Sequence, residues 1–436
     1  MRDLVFFIAM VFFLPLAITN AFIGFLLWGW SGLIGVNYYI FGFMSNIGYT
    51  QFFALITLFA LFFFKEKNKK YNYPVNRTAI FIAIFAMHGL VCALLAYTEV
   101  TSNWEIYNIL IKNILFCLLM PLFVYDRFRI HCIVLMIVLG LSFHGVLDGL
   151  KFLSTAGVHK AQSIPKFGDN NYLGMIILMC VPFLFYLIKY SSKKITKYAF
   201  SFVLFLNVLT IVATQSRGAL SGLLVVSLIY LLKTKNKVIG IIALCFGLFF
   251  ITQIASDGWK SRMQTIQSAQ DDSSFLGRVR AWQVSSAIAL ENPVFGGGFR
   301  AVQSHAIWNR FKHSAGILPF VEVDTETRSG IAAHSIWFEV LGDQGFVGFF
   351  LFLVLIINAF VTRNDIKKLT KKRHKVDDWA MDLANVTCVS LIAYCFCGSL
   401  LSAAYFELPY ICFMLLEVIK LQQKSKEKFS ESQLIK

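Results

Sequence analysis

Long apolar segments without a charged residue are the feature that most restricts how this chain can fold. Residues Val238–Ile254, for example, contain no Asp, Glu, Lys or Arg. A segment of that length approaches what an α-helix needs to cross the hydrocarbon core of a bilayer. Over the whole chain 57% of residues are apolar and 15% charged, whereas soluble proteins average about half and about a quarter. The sequence therefore excludes an ordinary soluble enzyme and predicts an all-α polytopic membrane protein.

Basic residues are concentrated in short hinges between the apolar segments. The net charge is +16, but this placement indicates membrane orientation and not nucleic-acid binding, because basic loops remain on the cytoplasmic side of a membrane. We therefore expect a lipid bilayer as partner and no nucleic acid. The strongly basic hinges are Lys65–Lys70, Lys193–Lys197, Lys233–Lys237, Arg363–Lys375 and the tail from Lys420.

The apolar segments between these hinges form outward and returning pairs, which gives about twelve transmembrane helices. The pairs are 77–97 with 107–124, 130–154 with 172–190, 198–215 with 219–232, 238–255 with 336–361, and 380–403 with 405–420. Before residue 65 two arrangements remain open. Segments 4–18, 20–36 and 50–64 give thirteen spans if each crosses, or twelve if 4–36 is one broken unit, which Arg2 favours.

This topology divides the chain into four parts. Residues 1–255 hold the N-terminal membrane helices, 256–335 a large loop, 336–421 the C-terminal membrane helices, and 422–436 a basic cytoplasmic tail. A structureless loop as long as 256–335 would be unusual. The spacing of apolar residues predicts a helix over Arg278–Leu290 that ends before Asn292-Pro293. The large loop is thus expected to be partly helical.

Three polar segments collect on the face opposite the basic hinges. They are Ser154–Asn171, Gln215–Gly218 and Ser256–Ala333. Few polar residues elsewhere could carry chemistry, so we expect any active site to be built from these segments. Three glycines at 296–298 lack the strand and the Lys-Ser/Thr of a nucleotide-binding loop.

Three arginines are the candidate anion-binding residues. Arg217 lies at the end of a span and beside a helix start, where it either anchors the span at the interface or meets an anion helped by the helix dipole. Arg278 and Arg280 are two positions apart on one helix and point to different sides. One is therefore expected to bind a ligand and the other to make a structural pair. Trp282, four residues after Arg278, is placed to pack on its side chain.

His334 is the candidate general base, because it ends the large loop at the start of a span. A neutral histidine can accept a proton near pH 7. The alternative is a capping role for His334 with the base in the acidic run at Glu322, Asp324 and Glu326. Glu339 is placed to orient the histidine, to contact a cation or to be solvated.

The remaining ionisable candidates have competing structural roles. Lys160, Lys166 and Asp169 lie in the smaller loop, and Asp169 has the sequence context of a helix cap. Lys112, His144 and Asp148 lie inside predicted spans, where charged groups are costly and often functional. His144 and Asp148, at i and i+4, are also spaced for a structural hydrogen bond. The nine cysteines lie in or beside apolar segments and indicate core packing.

Several short motifs, in this order, resemble those of the O-antigen ligase and polymerase superfamily. They are Thr214-Gln-Ser-Arg-Gly218, Gly277-Arg-Val-Arg-Ala-Trp282, Glu291-Asn-Pro-Val-Phe-Gly-Gly-Gly298, Ala333-His-Ser-Ile-Trp337 and Gly345-Phe-Val-Gly348. The resemblance covers roughly residues 160–360. The stretch from Met1 to Leu58 is similar to the O-glycosylation ligase subgroup, whose enzymes modify proteins. Ser335 stands where the family usually has Asn.

The resemblance implies a membrane-embedded glycosyltransferase of the GT-C type in a bacterial inner membrane. Such an enzyme moves a preassembled glycan from undecaprenyl diphosphate to an acceptor hydroxyl at the periplasmic face. It implies His334 as general base and Arg217, Arg278 and Arg280 as ligands of the donor diphosphate. Trp282, Lys160, Lys166, Asp169 and Glu339 are expected to support the site.

Fixed cations suit a leaving diphosphate, so no metal or cofactor is expected, and a single displacement would invert the anomeric carbon. The acceptor is expected to be a pilin-like protein. The alternatives are lipid A–core, as for a lipopolysaccharide ligase, or a second lipid-linked glycan, as for a polymerase. A transporter or flippase is the alternative from a different class, which Lys112, His144 and Asp148 would favour.

Overall fold

The computed structural model describes residues 2–64, 73–234, 273–321, 330–371 and 378–434, together with 237, 238 and 241. These residues form helices and loops, with no strand among them. The helices are α1 (Arg2–Thr19), α2 (Ala21–Ile34), α3 (Tyr49–Phe63), α4 (Arg77–Leu94), α5 (Asn103–Phe123), α6 (Arg127–Ser154), α7 (Asn170–Tyr190), α8 (Lys194–Ala213), α9 (Arg217–Lys233), α10 (Ser273–Glu291), α11 (His305–Phe311), α12 (Ile336–Lys371), α13 (Asp378–Gly398) and α14 (Glu407–Leu434).

Seven of the described helices are long and apolar enough to cross a membrane: α4 to α8, α12 and α13. Helices α1, α2 and α3 are apolar but shorter. The prediction of a polytopic all-α membrane protein is therefore confirmed. The total of twelve spans and the GT-C class stay predictions, and the predicted span 238–255 lies outside the described residues.

The first two helices are separated by a single residue. Asn20 has an extended backbone and its side-chain oxygen accepts a hydrogen bond from the Phe22 amide at 3.0 Å, so it caps α2. At 14 residues α2 is about 21 Å long, which is shorter than the hydrocarbon core. It packs against α3 and α6. Both arrangements of residues 4–36, as two spans or as one broken unit, stay predictions.

Helix α7 lies at the centre of the bundle and is the most deeply buried of the candidate spans. It packs against α6, α8, α9 and α13. A second group forms around α12, which contacts α4, α13 and α14. Both groups share α13, and hydrogen bonds of Asn170 to Thr214, Cys397 to Gly218 and Trp337 to Ser399 bring the beginnings of α7, α9 and α12 to one end of the bundle.

A smaller apolar core lies in the α10–α11 subdomain, which we define as residues 273–321 and 330–335. Ala281, Val284 and Ile288 from α10 pack there against Trp308 and Phe311 from α11. The helix predicted over Arg278–Leu290 is confirmed as the centre of α10. In its described part the large loop is therefore a small helical unit with its own core.

The three-glycine turn fastens this subdomain to a break in α12. Gly345 has φ +67° and ψ −170°, which interrupts the helix. The amides of Gly297 and Gly298 donate to the carbonyls of Gly342 and Asp343 at 2.9 and 3.0 Å, and the Phe346 amide donates to Pro293. A Cβ at Gly345 would lie 2.6 Å from the Pro293 oxygen, so only glycine fits. The glycines therefore hold the α10–α11 subdomain against α12, and their amides are bonded to backbone carbonyls.

The last helix continues beyond the predicted end of the membrane domain at residue 421. Lys420, the first residue of the basic tail, is buried and pairs with the buried Glu417 at 2.5 Å. Glu417 also accepts a hydrogen bond from Thr78 at 2.8 Å. A buried lysine needs such a partner, and the bond from Thr78 to Glu417 joins α4 to α14.

Candidate active site

The turn between α13 and α14, residues 399–406, holds the beginning of α12 through three hydrogen bonds. The Trp337 indole donates to Ser399 Oγ at 2.8 Å, and the His334 amide donates to Ser402 Oγ at 2.9 Å. The Ala404 amide donates to Glu339 Oε2 at 2.9 Å. Residues 334–339, which include the first turn of α12, are thus held by one neighbouring segment.

The starts of α7 and α9 join the same end of the bundle. The Asn170 side chain donates to the Thr214 carbonyl at 2.5 Å, which ties the first residue of α7 to the residues before α9. The Cys397 thiol donates to the Gly218 carbonyl at 3.4 Å, which ties α9 to the end of α13. Two of the predicted polar segments, 154–171 and 215–218, therefore lie next to the 399–406 turn.

His334 has an unusual backbone that its surroundings hold in place. Its φ of +45° lies in the left-handed region, which costs a side-chain-bearing residue on the order of 1 kcal/mol. The Trp282 indole donates to the Ala333 carbonyl at 2.7 Å, and the His334 amide donates to Ser402. The oxygen and the N–H of one peptide group are both bonded, so the direction in which the imidazole leaves the chain is set.

The half-buried His334 imidazole favours its neutral form. Burial lowers its pKa below the ordinary value of 6.5, and the positive charge of Arg278 lowers it further. Asp169, the N-cap of α7, acts in the opposite sense. A neutral imidazole near pH 7 has a lone pair for a proton, which is the state that a general base requires.

Arg217 is the first residue of α9 and is half-buried. Ser216 caps the helix by accepting from the Ala219 amide at 3.2 Å, and Gln215 before it has φ +53°. The sharp turn places the guanidinium at the positive end of the helix dipole. Both the charge and the dipole there favour an anion.

Arg278 and Arg280 have different environments, as their spacing predicts. Arg278 is half-buried and acts on His334. Arg280 is 6% exposed, and its Nη1 donates to Gln283 Oε1 at 2.6 Å and to the Ser314 carbonyl at 3.3 Å. Burial lowers the pKa of Arg280. Arg280 therefore lies inside the α10–α11 subdomain, where it joins α10 to the loop after α11.

Trp282 supports the site through the backbone next to His334. Besides its bond to Ala333, its ring stacks on Phe338 with a centroid separation of 5.2 Å and an interplanar angle of 7°. It thereby joins α10 to the first turn of α12.

The smaller loop contributes one residue near His334 and one ion pair. Asp169 accepts from the Tyr172 amide at 2.9 Å, which confirms the predicted helix cap. Lys166 pairs with Glu407 at 2.6 Å and also donates to the Gly32 carbonyl, so it connects α2, this loop and α14. Lys160 is exposed. Of these three, only Asp169 acts on His334.

Among the described residues Glu339 accepts a hydrogen bond from Ala404 in the 399–406 turn. One helical turn later, the buried Asp343 accepts from the Tyr405 hydroxyl at 3.0 Å and from the Arg300 amide at 2.9 Å. The side chain of Arg300 reaches Glu105 at 3.9 Å. The carboxylates of α12 thus hold its neighbours together.

Sequence reasoning missed two groups of residues here. Ser399 and Ser402 look like ordinary small residues at the end of an apolar segment, and no local signal distinguishes them. Arg300, a charged residue directly after a glycine turn, did carry a signal. Its φ of +62° and its amide bond to Asp343 show that it belongs to the docking turn.

Three ionisable residues were predicted to lie inside spans: Lys112, His144 and Asp148. His144 Nδ1 and the Tyr39 hydroxyl are 2.5 Å apart, and Asp148 pairs with His159 at 2.9 Å. The two residues therefore bond to other partners, and not to each other as their spacing suggested. Lys112 lies on the exposed surface of α5.

Two further expectations concern the base and a metal. The alternative base residues Glu322, Asp324 and Glu326 lie outside the described residues. Among the described ranges, no group of three or more His, Cys, Asp or Glu side chains is arranged to hold a metal ion.

Comparison with known families assigns two parts of the chain. Residues 200–353 match the family model described as O-antigen ligase. Residues 1–192 match a family of unknown function, DUF5935. No curated protein matches the chain. The first match contains Arg217, Arg278 and His334, and it supports the resemblance to the O-antigen ligase and polymerase superfamily.

Proposed function

We propose that this chain is a glycosyltransferase that moves a preassembled glycan from undecaprenyl diphosphate to an acceptor hydroxyl. The O-antigen ligase match suggests a glycan-transferring membrane enzyme of the ligase type. The observation that carries the proposal is the setting of His334 within the matched region: its backbone is bonded to Trp282 and Ser402, and burial and Arg278 lower the pKa of its imidazole. The positive charge of Arg278 thus acts on the candidate base at one end of the helical bundle.

His334 takes the proton of the acceptor hydroxyl as the hydroxyl oxygen forms its bond to the anomeric carbon. The bond from that carbon to the diphosphate oxygen breaks, and the electron pair leaves with the diphosphate. Arg217 and Arg278 stabilise the charge that develops there, since guanidinium groups match phosphate oxygens in geometry. One displacement inverts the anomeric configuration, and the two arginines supply the positive charge without a metal.

The proposed location is a bacterial inner membrane, with the site facing the periplasm. Helix α9 runs from Arg217 at the site to Lys233 at its other end, and α8 begins with Lys194 and ends beside the site at Ala213. Both basic ends lie opposite the site, which supports a cytoplasmic position for them. A polyprenyl tail would remain in the bilayer while its diphosphate reaches the end of the bundle.

For the acceptor we propose a hydroxyl of a pilin-like protein, on the similarity of the N-terminal stretch to O-glycosylation ligases. Lipid A–core and a second lipid-linked glycan are the alternative acceptors. The experiment supplies the purified protein with undecaprenyl-diphosphate glycan, a pilin and lipid A–core together, and identifies products by mass. A glycan joined to the pilin is the expected result.

A product on lipid A–core, or a lengthened lipid-linked glycan, would show that the acceptor is not the pilin. The proposed reaction, glycan transfer, would still hold. Absence of any joined product would contradict glycan transfer. In that case the same protein in vesicles tests the transporter alternative, because a transporter moves the lipid-linked glycan across the bilayer and leaves its mass unchanged. Within the described residues His144 and Asp148 are bonded to Tyr39 and His159, so they are already engaged.

A further inference from the structure

The peptide group that joins Ala333 to His334 is held from two different segments of the chain. Its oxygen accepts from the Trp282 indole on α10 at 2.7 Å. Its N–H donates to Ser402 Oγ in the 399–406 turn at 2.9 Å. We call these two hydrogen bonds the peptide clamp.

The clamp explains how a histidine is kept in the left-handed region. The helix α12 begins at Ile336, and the Glu339 amide donates to the Ser335 carbonyl at 2.8 Å, which fixes the chain after His334. The clamp fixes the peptide plane before it. Because the peptide plane before His334 and the helix after it are both fixed, the backbone at His334 must adopt the φ of +45° that connects them. Loss of either clamp bond allows the peptide to turn and φ to relax to negative values.

We infer that Ser402 and Trp282 are positioning residues for His334, holding its backbone so that the imidazole stays half-buried beside Arg278 and Asp169. This inference rests on the proposed function only in taking His334 as the base. Neither residue touches the reacting atoms. Each acts through the backbone of the residue that does, so its effect is on the direction of the imidazole.

The charged groups around His334 determine what release of the clamp does. Arg278 on α10 lowers the pKa of His334, Asp169 at the start of α7 raises it, and burial has the largest effect. Arg217 begins α9 at the same end of the bundle and adds a further positive charge there. Glu339 is bonded to Ala404, the Tyr405 hydroxyl to Asp343, and the turn otherwise offers the hydroxyls of Ser399 and Ser402. An imidazole released towards water therefore regains a pKa nearer to 6.5.

The chain offers a matched control three residues from Ser402. Ser399 accepts a hydrogen bond from the Trp337 indole at 2.8 Å, so Ser399→Ala removes one bond between the same turn and the same helix. It leaves the peptide before His334 untouched. Ser402→Thr keeps the hydroxyl acceptor, and Trp282→Phe keeps a ring on Phe338 while it removes the indole N–H.

The experiment measures the titration of His334 directly. The rate at which diethyl pyrocarbonate modifies His334 is followed by peptide mass across a pH series, in the full-length protein. Ser402→Ala and Trp282→Phe are expected to raise the pKa of His334, whereas Ser399→Ala and Ser402→Thr leave it at the wild-type value. In glycan transfer, the two clamp variants lower kcat roughly 10–100-fold, as expected for a misplaced group, with the donor KM little changed.

Two outcomes separate this inference from the proposed function. If the wild type transfers glycan and Ser402→Ala matches Ser399→Ala in both titration and kcat, the clamp is wrong and the function stands. If the titration shifts as expected but the wild type transfers no glycan, the positioning of His334 stands and the proposed function falls. If either Ser402→Ala or Trp282→Phe fails to fold, the other variant serves as the test. Both are expected to raise the pKa of His334.

Discussion

Lys166 and Glu407 are 241 positions apart in the chain and form an ion pair in which Nζ and Oε1 are 2.6 Å apart. Lys166 also donates to the Gly32 carbonyl at the end of α2. Glu407 begins α14 directly after the 399–406 turn that holds His334. One lysine thus ties the N-terminal helices and the smaller loop to the segment that supports the candidate base.

Replacing Lys166 with Met should therefore lower stability and leave donor binding intact. Glu407 would lose its partner in a setting where the two side chains are 13% and 24% exposed, and a partly buried charge left alone costs about 1–3 kcal/mol. The midpoint of thermal unfolding in detergent measures this. Lys160→Met in the same loop is the control, because Lys160 is exposed. Weakened donor binding with an unchanged midpoint would instead make Lys166 a substrate ligand.

This pair also shows what the sequence could and could not predict. Apolar segment lengths determine where helices form, so α4 to α8 and α10 follow from patterns within about 20 residues. Asp169 was predictable as a cap for the same reason, since its partner amide is three residues away. The break at Gly345 could not be predicted in this way, because it depends on the contact of Pro293 and the glycine turn with α12.

The candidate site was predictable in its charged residues and not in its supports. Arg217 and His334 are conspicuous because each lies at the end of an apolar segment, and Arg278 was proposed from its place on the helix predicted in the large loop. Ser402 contributes a single hydroxyl, and its partner amide lies 68 positions away. A contact between distant segments leaves no periodic pattern in the sequence, so only the folded structure reveals it.

Arg217 and Arg278 are predicted to be required for transfer. Replacing either with Ala should lower kcat/KM at least roughly 100-fold, as loss of a group that stabilises developing charge does, with normal expression and folding. Lys at either position should restore part of the activity, because it restores the positive charge but not the planar guanidinium group that binds two phosphate oxygens at once. Steady-state transfer assays with purified protein measure both effects.

Arg280→Met is the matched control for these variants. Arg280 lies on the same helix as Arg278, but its guanidinium is buried and bonds to Gln283 and Ser314. We expect kcat/KM to fall much less than in Arg278→Ala. A larger defect in Arg280→Met than in Arg278→Ala would exchange the roles of the two arginines.

The proposed orientation predicts opposite accessibility for two exposed positions. In a chain without its nine native cysteines, single cysteines are placed at His313, in the α10–α11 subdomain, and at Lys368, near the end of α12. An impermeant thiol reagent added outside intact spheroplasts should label position 313, and label 368 only after permeabilisation. Segment 363–375 holds seven basic residues against one acid, which is a strong cytoplasmic signal. The reverse labelling would overturn the orientation.

The pH dependence of transfer should report the neutral form of His334. A protonated imidazole cannot accept a proton, so kcat/KM falls as the pH drops through its pKa, which burial and Arg278 place below 6.5. Asp169→Asn removes the charge that raises this pKa, so the acidic limb should move to lower pH. Asn can still cap α7, so the helix start is retained. An acidic limb that stays in place or moves to higher pH would show that Asp169 does not act on the catalytic base.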